Sequence, residues 1–442
     1  EALLGPVTKW VGILDAIGDL GPLLRRAFRE ATGGRPGPVA VILPQDLLDG
    51  PPPEDAQAGD PHAGRFGRFP STAVRPAETD ITALGNAVES ADRPLLVVGG
   101  GGNRTGVAAE VSRLADAGIA VATTLSGRGV IDERHPMAVG VLGSLGVPSA
   151  RSIAMQADLF VAAGTKLGSG TTSGYQLPLR DQRVAQIDLD PVELGRDRPV
   201  DVAVHADVLQ VLERLHPTGR TAGPWRDQVT AARTAWAEQR QTLGASDAIP
   251  IDPQRVMAEL DAHLRSTDVV VSDASLSSGW VAGYLTVARD GPRTLFPRGL
   301  AGLGWAIPAA IGAAAGGAER VIAVMGDGAA PYAIGELATL AAQDVPVLAV
   351  VLNNSSYGWI RWYRRMAFDR GWEHDDLPPT SFAAVAQAYG FQAVRVEDPG
   401  DLAAAFGAWT GGPMLVEAVT SVWETPIEAH RQAIERGESS DY

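Results

Sequence analysis

The 442-residue chain contains no cysteine. That absence excludes disulfides, thiolate metal sites and a cysteine nucleophile, and it fits a reducing compartment, here expected to be the cytoplasm. Long apolar runs are missing too. The most hydrophobic stretches, such as Val345 to Leu352, are too short to span a bilayer, and the N-terminus lacks the basic-then-apolar pattern of a signal peptide, so no membrane partner is expected. Nor is there any basic excess. The 52 Asp and Glu outweigh the 37 Lys and Arg, giving a formal charge of -15 that repels phosphate backbones and makes nucleic acid a poor candidate for the main partner. An anionic ligand must be met by local donors. The chain starts with Glu1 rather than Met and enters a recognisable element at once, so the start reads as a cut or processed end.

What is present is a succession of α/β units, two or three domains at about 150 residues each. Leu23, Leu24, Ala27 and Phe28 recur at helical spacing opposite Arg25, Arg26, Arg29 and Glu30, which predicts a helix from Leu20 to Ala31. Gly33-Gly34 ends it, and a short buried strand follows from Val39 to Leu43. This is one helix-strand pair of a larger sheet. Residues 50 to 77, dense in Pro, Gly, Asp and Arg, predict a linker. A second unit opens with the strand Pro94 to Val98, the glycine turn Gly99 to Gly102 and a helix from about Thr105 to Ala117. Further strands are predicted at Ile119 to Thr123, Leu159 to Ala163 and Val184 to Ile187. A second linker, Pro217 to Arg226, and a long helix to about Leu243 lead to a third unit with strands at Val269 to Ser272, Val321 to Val324 and Val345 to Leu352. Such near-continuous Val/Ile/Leu runs indicate parallel, doubly wound α/β sheets covered on both faces, with ligands at the C-terminal ends of the strands. The last residues, Glu435 to Tyr442, are expected to fray.

Two of these strand ends carry the chemistry. The strand Val321 to Val324 runs into Met325-Gly326-Asp327-Gly328, and after 24 intervening residues the next buried strand ends in Asn353-Asn354-Ser355-Ser356. Magnesium wants hard oxygens in near-octahedral array, commonly one or two protein ligands with phosphate oxygens completing the shell. Asp327 and Asn354 fit that demand. The glycines beside Asp327 admit a diphosphate, and the amides of Gly328 and Ala329 are placed to donate to it.

Glycine-aspartate-glycine, a spacer in the mid-twenties and a paired asparagine make up the thiamine diphosphate signature. The chain resembles the acetolactate synthase and benzoylformate decarboxylase group of thiamine diphosphate-dependent enzymes, and it does so along its whole length. Arg298 to Gly312 looks like the group's glycine-rich turn and helix, Pro6 to Trp10 and Gly34 to Leu47 like the tail of its pyrimidine-binding domain, and Ile187 to Pro191 like the last strand of its central domain. The resemblance implies 1-60 as the C-terminal part of a pyrimidine-binding domain, 78-216 as a central Rossmann-like domain and 225-442 as the diphosphate-binding domain. It implies that Asp327, the Asn354 side chain and the Ser356 carbonyl bind Mg2+. Gly326, Gly328, Ala329, Ser275, Ser277, Gly302, Leu303 and Tyr357 would contact thiamine diphosphate. Leu303 would prop the cofactor in its bent shape, and the Ala301 carbonyl would accept from its amino group.

The glutamate that activates the cofactor in this group lies upstream of anything matched here. A homodimer or homotetramer, or a second polypeptide carrying a pyrimidine domain, is expected to complete the site. The segment Tyr357 to Arg365 is aromatic and basic, with Ile360 where pyruvate decarboxylases carry glutamate and Tyr363 where acetolactate synthases carry tryptophan. Trp359, Ile360 and Tyr363 would line a pocket for an apolar or aromatic substrate. The implied activity is decarboxylation of a small 2-oxo acid, carboligation of the resulting acyl unit, or both. A benzoylformate decarboxylase-like enzyme is the alternative, and a non-catalytic cofactor- or nucleotide-binding subunit is the reading from another class. FAD at the Gly99 to Gly102 turn is less favoured, because Lys166-Leu-Gly-Ser-Gly170 lacks the Arg-Phe-Asp-Asp pattern associated with flavin-binding members.

Overall fold

A computed structural model describes residues 1–50, 73–104, 106–217, 223–288, 293–368 and 375–427. The linker expected over 50 to 77 and the fraying C-terminal residues fall wholly or largely outside these. Fourteen strands form three parallel sheets among the described residues. The smallest pairs β1 (Trp10–Ile13) with β2 (Val39–Ile42), and the helix Leu20–Thr32 packs on it.

The central sheet holds β3 (Pro94–Val98), β4 (Ala120–Thr123), β5 (Ala138–Val141), β6 (Leu159–Ala163), β7 (Arg183–Asp188) and β8 (Val202–His205), in the order β5-β4-β3-β6-β7-β8. Every residue of β3, β4 and β6 is buried, as expected for aliphatic runs sandwiched between helical layers. The winding direction reverses between β3 and β6. The glycine turn after β3 and Gly164 after β6 therefore face one crevice.

The C-terminal sheet holds β9 (Val269–Ser272), β10 (Arg293–Leu295), β11 (Val321–Gly326), β12 (Val347–Asn353), β13 (Gln392–Val396) and β14 (Met414–Val419), in the order β10-β9-β11-β12-β14-β13. One apolar core covers each face. Ile322, Val324, Leu348 and Val350 contribute to one; Val321, Ala323, Ala349 and Val351 contribute to the other. That alternation is the period-two pleat of a strand covered on both sides. Winding reverses between β9 and β11, so a second crevice opens where these strands and β12 end.

The expected second linker is shorter than the sequence predicts. The helix Pro224–Gly244 begins inside it, because proline at the first helical position lacks only an N–H that would have no partner there. No helix among the described residues is long and apolar enough to cross a membrane.

Candidate functional site

A cavity of about 550 Å³ lies over the C-terminal ends of β9, β11 and β12. Thr124 to Ser126, Leu142, Leu145, Gly170 and Thr171 of the central unit form its opposite wall. Gly326, Asp327, Gly328, Ala329, Asn354, Ser356 and Tyr357 all line it, as do Ser275, Ser277, Ala301 and Leu303. Sheet register explains the meeting. Gly326 pairs with Leu352, so the residues just beyond each strand are neighbours although far apart in sequence.

Asp327 is 5% exposed, and burial pushes its pKa up to about 6, against backbone donors that pull it down. Its Oδ2 accepts from the Ser356 N–H at 3.2 Å, and Asn354 Oδ1 accepts from the same N–H at 3.1 Å. Two hard oxygens thus converge on one point of the cavity floor. No cluster of three or more His, Cys, Asp or Glu among the described residues could hold a metal ion. The oxygens that converge here are one carboxylate and one side-chain amide, a pair that suits a cation whose shell is finished by a ligand's phosphates. The turn amides are engaged differently from expectation. Gly328 N–H donates to Asp327 Oδ1 at 2.9 Å and Ala329 N–H to the Gly326 carbonyl at 3.0 Å, so both are satisfied within the turn. Gly328 lies close under the Tyr357 ring: a Cβ there would stand 3.0 Å from it, and the ring would have to give way slightly.

The opposite side of the cavity is set by Asp273, 1% exposed at the end of β9. Its carboxylate accepts from Gly304 N–H at 3.2 Å and Ala306 N–H at 2.9 Å, which fixes the turn bearing Ala301 and Leu303 to the start of the helix Ala306–Ala315. Burial raises the Asp273 pKa, and these backbone donors oppose the rise. Three non-glycine residues on the cavity loops have positive φ: Ser275 at 73°, Ala301 at 51° and Ser355 at 51°. Such backbone costs of the order of 1–3 kcal/mol each and persists where the surroundings dictate it.

On the helix Gly358–Phe368, Trp359 and Ile360 reach the cavity. Tyr363 does not line it; one turn further on, it is 51% exposed and lies edge-on to Phe368. Gly302 is also absent from the lining, and a Cβ there would meet nothing within 4 Å.

Several residues of the site were not legible in the sequence. Glu417 on β14 is fully buried, and its Oε1 accepts from Asn353 Nδ2 at 2.7 Å while Arg395 pairs with the same oxygen. Asn353 Oδ1 in turn accepts from Ser355 N–H at 3.2 Å. The paired asparagine divides its labour: Asn353 anchors the loop, and Asn354 faces the cavity. Glu424, Thr420 and Arg298 also line the wall, and the buried Thr420 hydroxyl has no partner among the described residues. A charged residue inside an aliphatic strand was the one available signal for Glu417.

A second crevice of about 430 Å³ includes Gly100, Gly101, Gly164 and Lys166. The glycine turn beside it has a packing reason. A Cβ on Gly99 would come within 2.3 Å of the Gly164 carbonyl oxygen, and one on Gly101 within 3.0 Å of Gly164 Cα.

Residues 81–215 match the central domain of thiamine pyrophosphate enzymes, and residues 273–418 match their C-terminal TPP-binding domain. The chain belongs to the thiamine pyrophosphate enzyme family. Thiamine pyrophosphate is thiamine diphosphate under its other name, and the C-terminal match spans β11, β12 and the loops that line the cavity. The chain is 30% identical over 404 residues to an acetolactate synthase large subunit of Parasynechococcus marenigrum, covering 89% of this chain and 64% of that protein. It is 28% identical over 413 residues to a probable acetolactate synthase large subunit of Methanocaldococcus jannaschii, covering 90% and 69%. To an acetolactate synthase of Mycobacterium leprae it is 29% identical over 410 residues, covering 89% and 64%. The chain thus spans about two thirds of the length of these family members.

Proposed function

We propose that this chain is the thiamine diphosphate- and Mg2+-binding part of an acetolactate synthase-like enzyme that decarboxylates a 2-oxo acid and transfers the acyl unit. The observation that carries this is the convergence of Asp327 Oδ2 and Asn354 Oδ1 on one N–H at the floor of the cavity, inside the matched TPP-binding domain. When bound, thiamine diphosphate supplies a carbon nucleophile and an electron sink for loss of CO2. Asp327, Asn354 and the Ser356 carbonyl hold the metal. Leu303 presents a bulky apolar side chain and Ala301 a carbonyl on the turn that Asp273 clamps. Leu125, Leu142, Leu145 and Trp280 keep the remaining wall apolar and limit water. The accompanying domain reading is 1-60, 78-216 and 225-442.

Elements from further polypeptide complete the site in this reading, whether a second copy or another chain. The β1–β2 sheet supports it: parallel strands are normally covered on both faces, yet these are only half-buried, and Leu24, Phe28, Leu43 and Leu48 around them stay exposed. FAD is not part of this proposal, because packing against Gly164, Ser126 and Val98 already accounts for the glycines of the turn.

The test is titration of the full polypeptide with thiamine diphosphate, with Mg2+ or with EDTA, followed by CO2 release from a panel of 2-oxo acids. Metal-dependent binding is expected, weakened at least tenfold in Asp327→Asn. Binding that ignores the metal would sink the site assignment; metal-dependent binding without CO2 release from any acid would favour a non-catalytic cofactor-binding subunit.

A further inference from the structure

Three charged side chains line the main cavity among the described residues: Asp327, Glu424 and Arg298. Asp327 belongs to the metal-binding floor, and Glu424 accepts from Gln254 Nε2. Arg298 is the sole cation of the three. It forms no hydrogen bond or ion pair within the described structure.

Its position is as telling as its isolation. Arg298 follows β10 and stands three residues before Ala301, on the loop that carries Leu303. It also lines the second crevice, and the two cavities meet at Thr124, Ser126, Gly170, Thr171 and Arg298. A Cβ built on Gly170 would lie 3.4 Å from Arg298 Nη2, so the guanidinium faces the bare backbone of the central unit across the seam. The other cations of the crevice are already paired: Arg35 and Lys166 with Glu193, and Arg104 with Asp207. The surrounding protein disfavours the charged guanidinium, lowering its pKa from the ordinary arginine value.

Arg298 is solvent-exposed, yet its planar guanidinium lies where the walls of two cavities meet and has no carboxylate partner among the described residues, which makes it a receptor for a planar anion entering there. A diphosphate would be served by the metal-binding loops instead. The choice is then between the carboxylate that leaves as CO2 and one that stays. A cation held against the leaving carboxylate would stabilise the ground state more than the transition state, in which that charge moves off, and would slow the reaction. A retained carboxylate carries no such penalty.

We propose that Arg298 is a specificity-determining residue that receives a carboxylate the reaction keeps, either the distal carboxylate of a dicarboxylic 2-oxo acid donor or the carboxylate of a 2-oxo acid acceptor. This rests on the 2-oxo acid reading above. It also modifies the expectation of a purely apolar substrate: the pocket is apolar on the Leu142, Leu145 and Trp280 side and cationic at the seam.

The experiment compares the wild type with Arg298→Gln and Arg298→Lys in the full polypeptide loaded with thiamine diphosphate and Mg2+, with circular dichroism as the check on folding. One arm measures equilibrium binding of 2-oxoglutarate against 2-oxovalerate, acids of equal length with and without the distal carboxylate. The other measures KM for 2-oxobutyrate against propanal as acceptors, with pyruvate as donor. In Arg298→Gln, the preference for the extra carboxylate falls about 10- to 100-fold in one arm, and Arg298→Lys recovers part of it. The arm that moves names the source. Both preferences staying within twofold of wild type would overturn the proposal. So would a loss of ADP affinity with both preferences unmoved, which would assign the guanidinium to the crevice. If the wild type releases no CO2 from any 2-oxo acid, the function reading fails separately, and the binding arm still decides Arg298.

Discussion

At Asp327, burial and charge oppose each other, and the balance has a pH signature. Its pKa in the folded chain is raised from 3.8 to about 6, first by burial. The folded state therefore holds this proton more tightly than the unfolded state does. The metal-free protein is favoured by this group below about pH 4. It loses that advantage as pH rises through about 6, and the full penalty, of the order of 3 kcal/mol, applies above. A cation bound at this carboxylate, as proposed, would remove the penalty by pairing with it. The gain in Tm on adding Mg2+ and thiamine diphosphate should thus grow from pH 4.5 to 6.5 and then level off. Thermal unfolding across that range, with and without ligand, checks this. In Asp327→Asn the ligand-dependent gain should shrink and lose this pH dependence; a gain equal to that of the wild type, with the same pH profile, would mean the metal is held elsewhere.

Among elements, the ends of β12 and β14 act as one unit. Glu417 joins Asn353, Ala383 N–H and Arg395, from three different segments, so the loop from Asn353 to Ser356 is shaped by a buried carboxylate it never contacts through Asn354. Glu417→Gln keeps the volume but removes the charge opposite Arg395. It should cost about 2–3 kcal/mol in urea unfolding and weaken Mg2+-dependent cofactor binding about tenfold. Lost stability with unchanged metal affinity would show that the loop holds its shape alone. The same network explains what was hard to read beforehand. β3, β6, β9 and the buried parts of β11 and β12 follow from continuous aliphatic runs. β8, β10 and β13 do not, because they are partly exposed edge strands and need no such run. β5, the remaining edge strand, is mostly buried but only four residues long and contains Gly140. β14 sits inside the sheet but is interrupted by Glu417.

Across the whole molecule, the cavity depends on how the central unit meets the C-terminal one. Arg128 has a fully buried side chain that pairs with Glu133 at 2.7 Å and donates to the Val281 carbonyl at 2.8 Å and to the Leu285 carbonyl. Glu133 Oε2 accepts from Val287 N–H at 2.7 Å. Together they close the C-terminal end of the helix Leu276–Tyr284, whose first turn carries Ser277 at the cavity. Arg128→Met leaves Glu133 with no cation beside it, only the Val287 N–H, and takes a donor from the Val281 and Leu285 carbonyls. It should destabilise the protein by about 3–5 kcal/mol in denaturant unfolding and weaken cofactor binding as well. A large stability loss with cofactor affinity intact would separate the clamp from the site.

The sequence by itself determined the α/β class, the parallel sheets and the Gly326-Asp327-Gly328 to Asn354 segment, because aliphatic periodicity and a fixed spacing between two strand ends are local properties. Only the tertiary structure decided that Asn353 anchors while Asn354 faces the cavity, that both turn amides are satisfied internally, that Tyr363 does not line the cavity, and that Arg298 stands unpaired among the described residues where two cavities meet. Those outcomes depend on which groups from distant segments reach the same few ångströms, and no spacing along the chain encodes that.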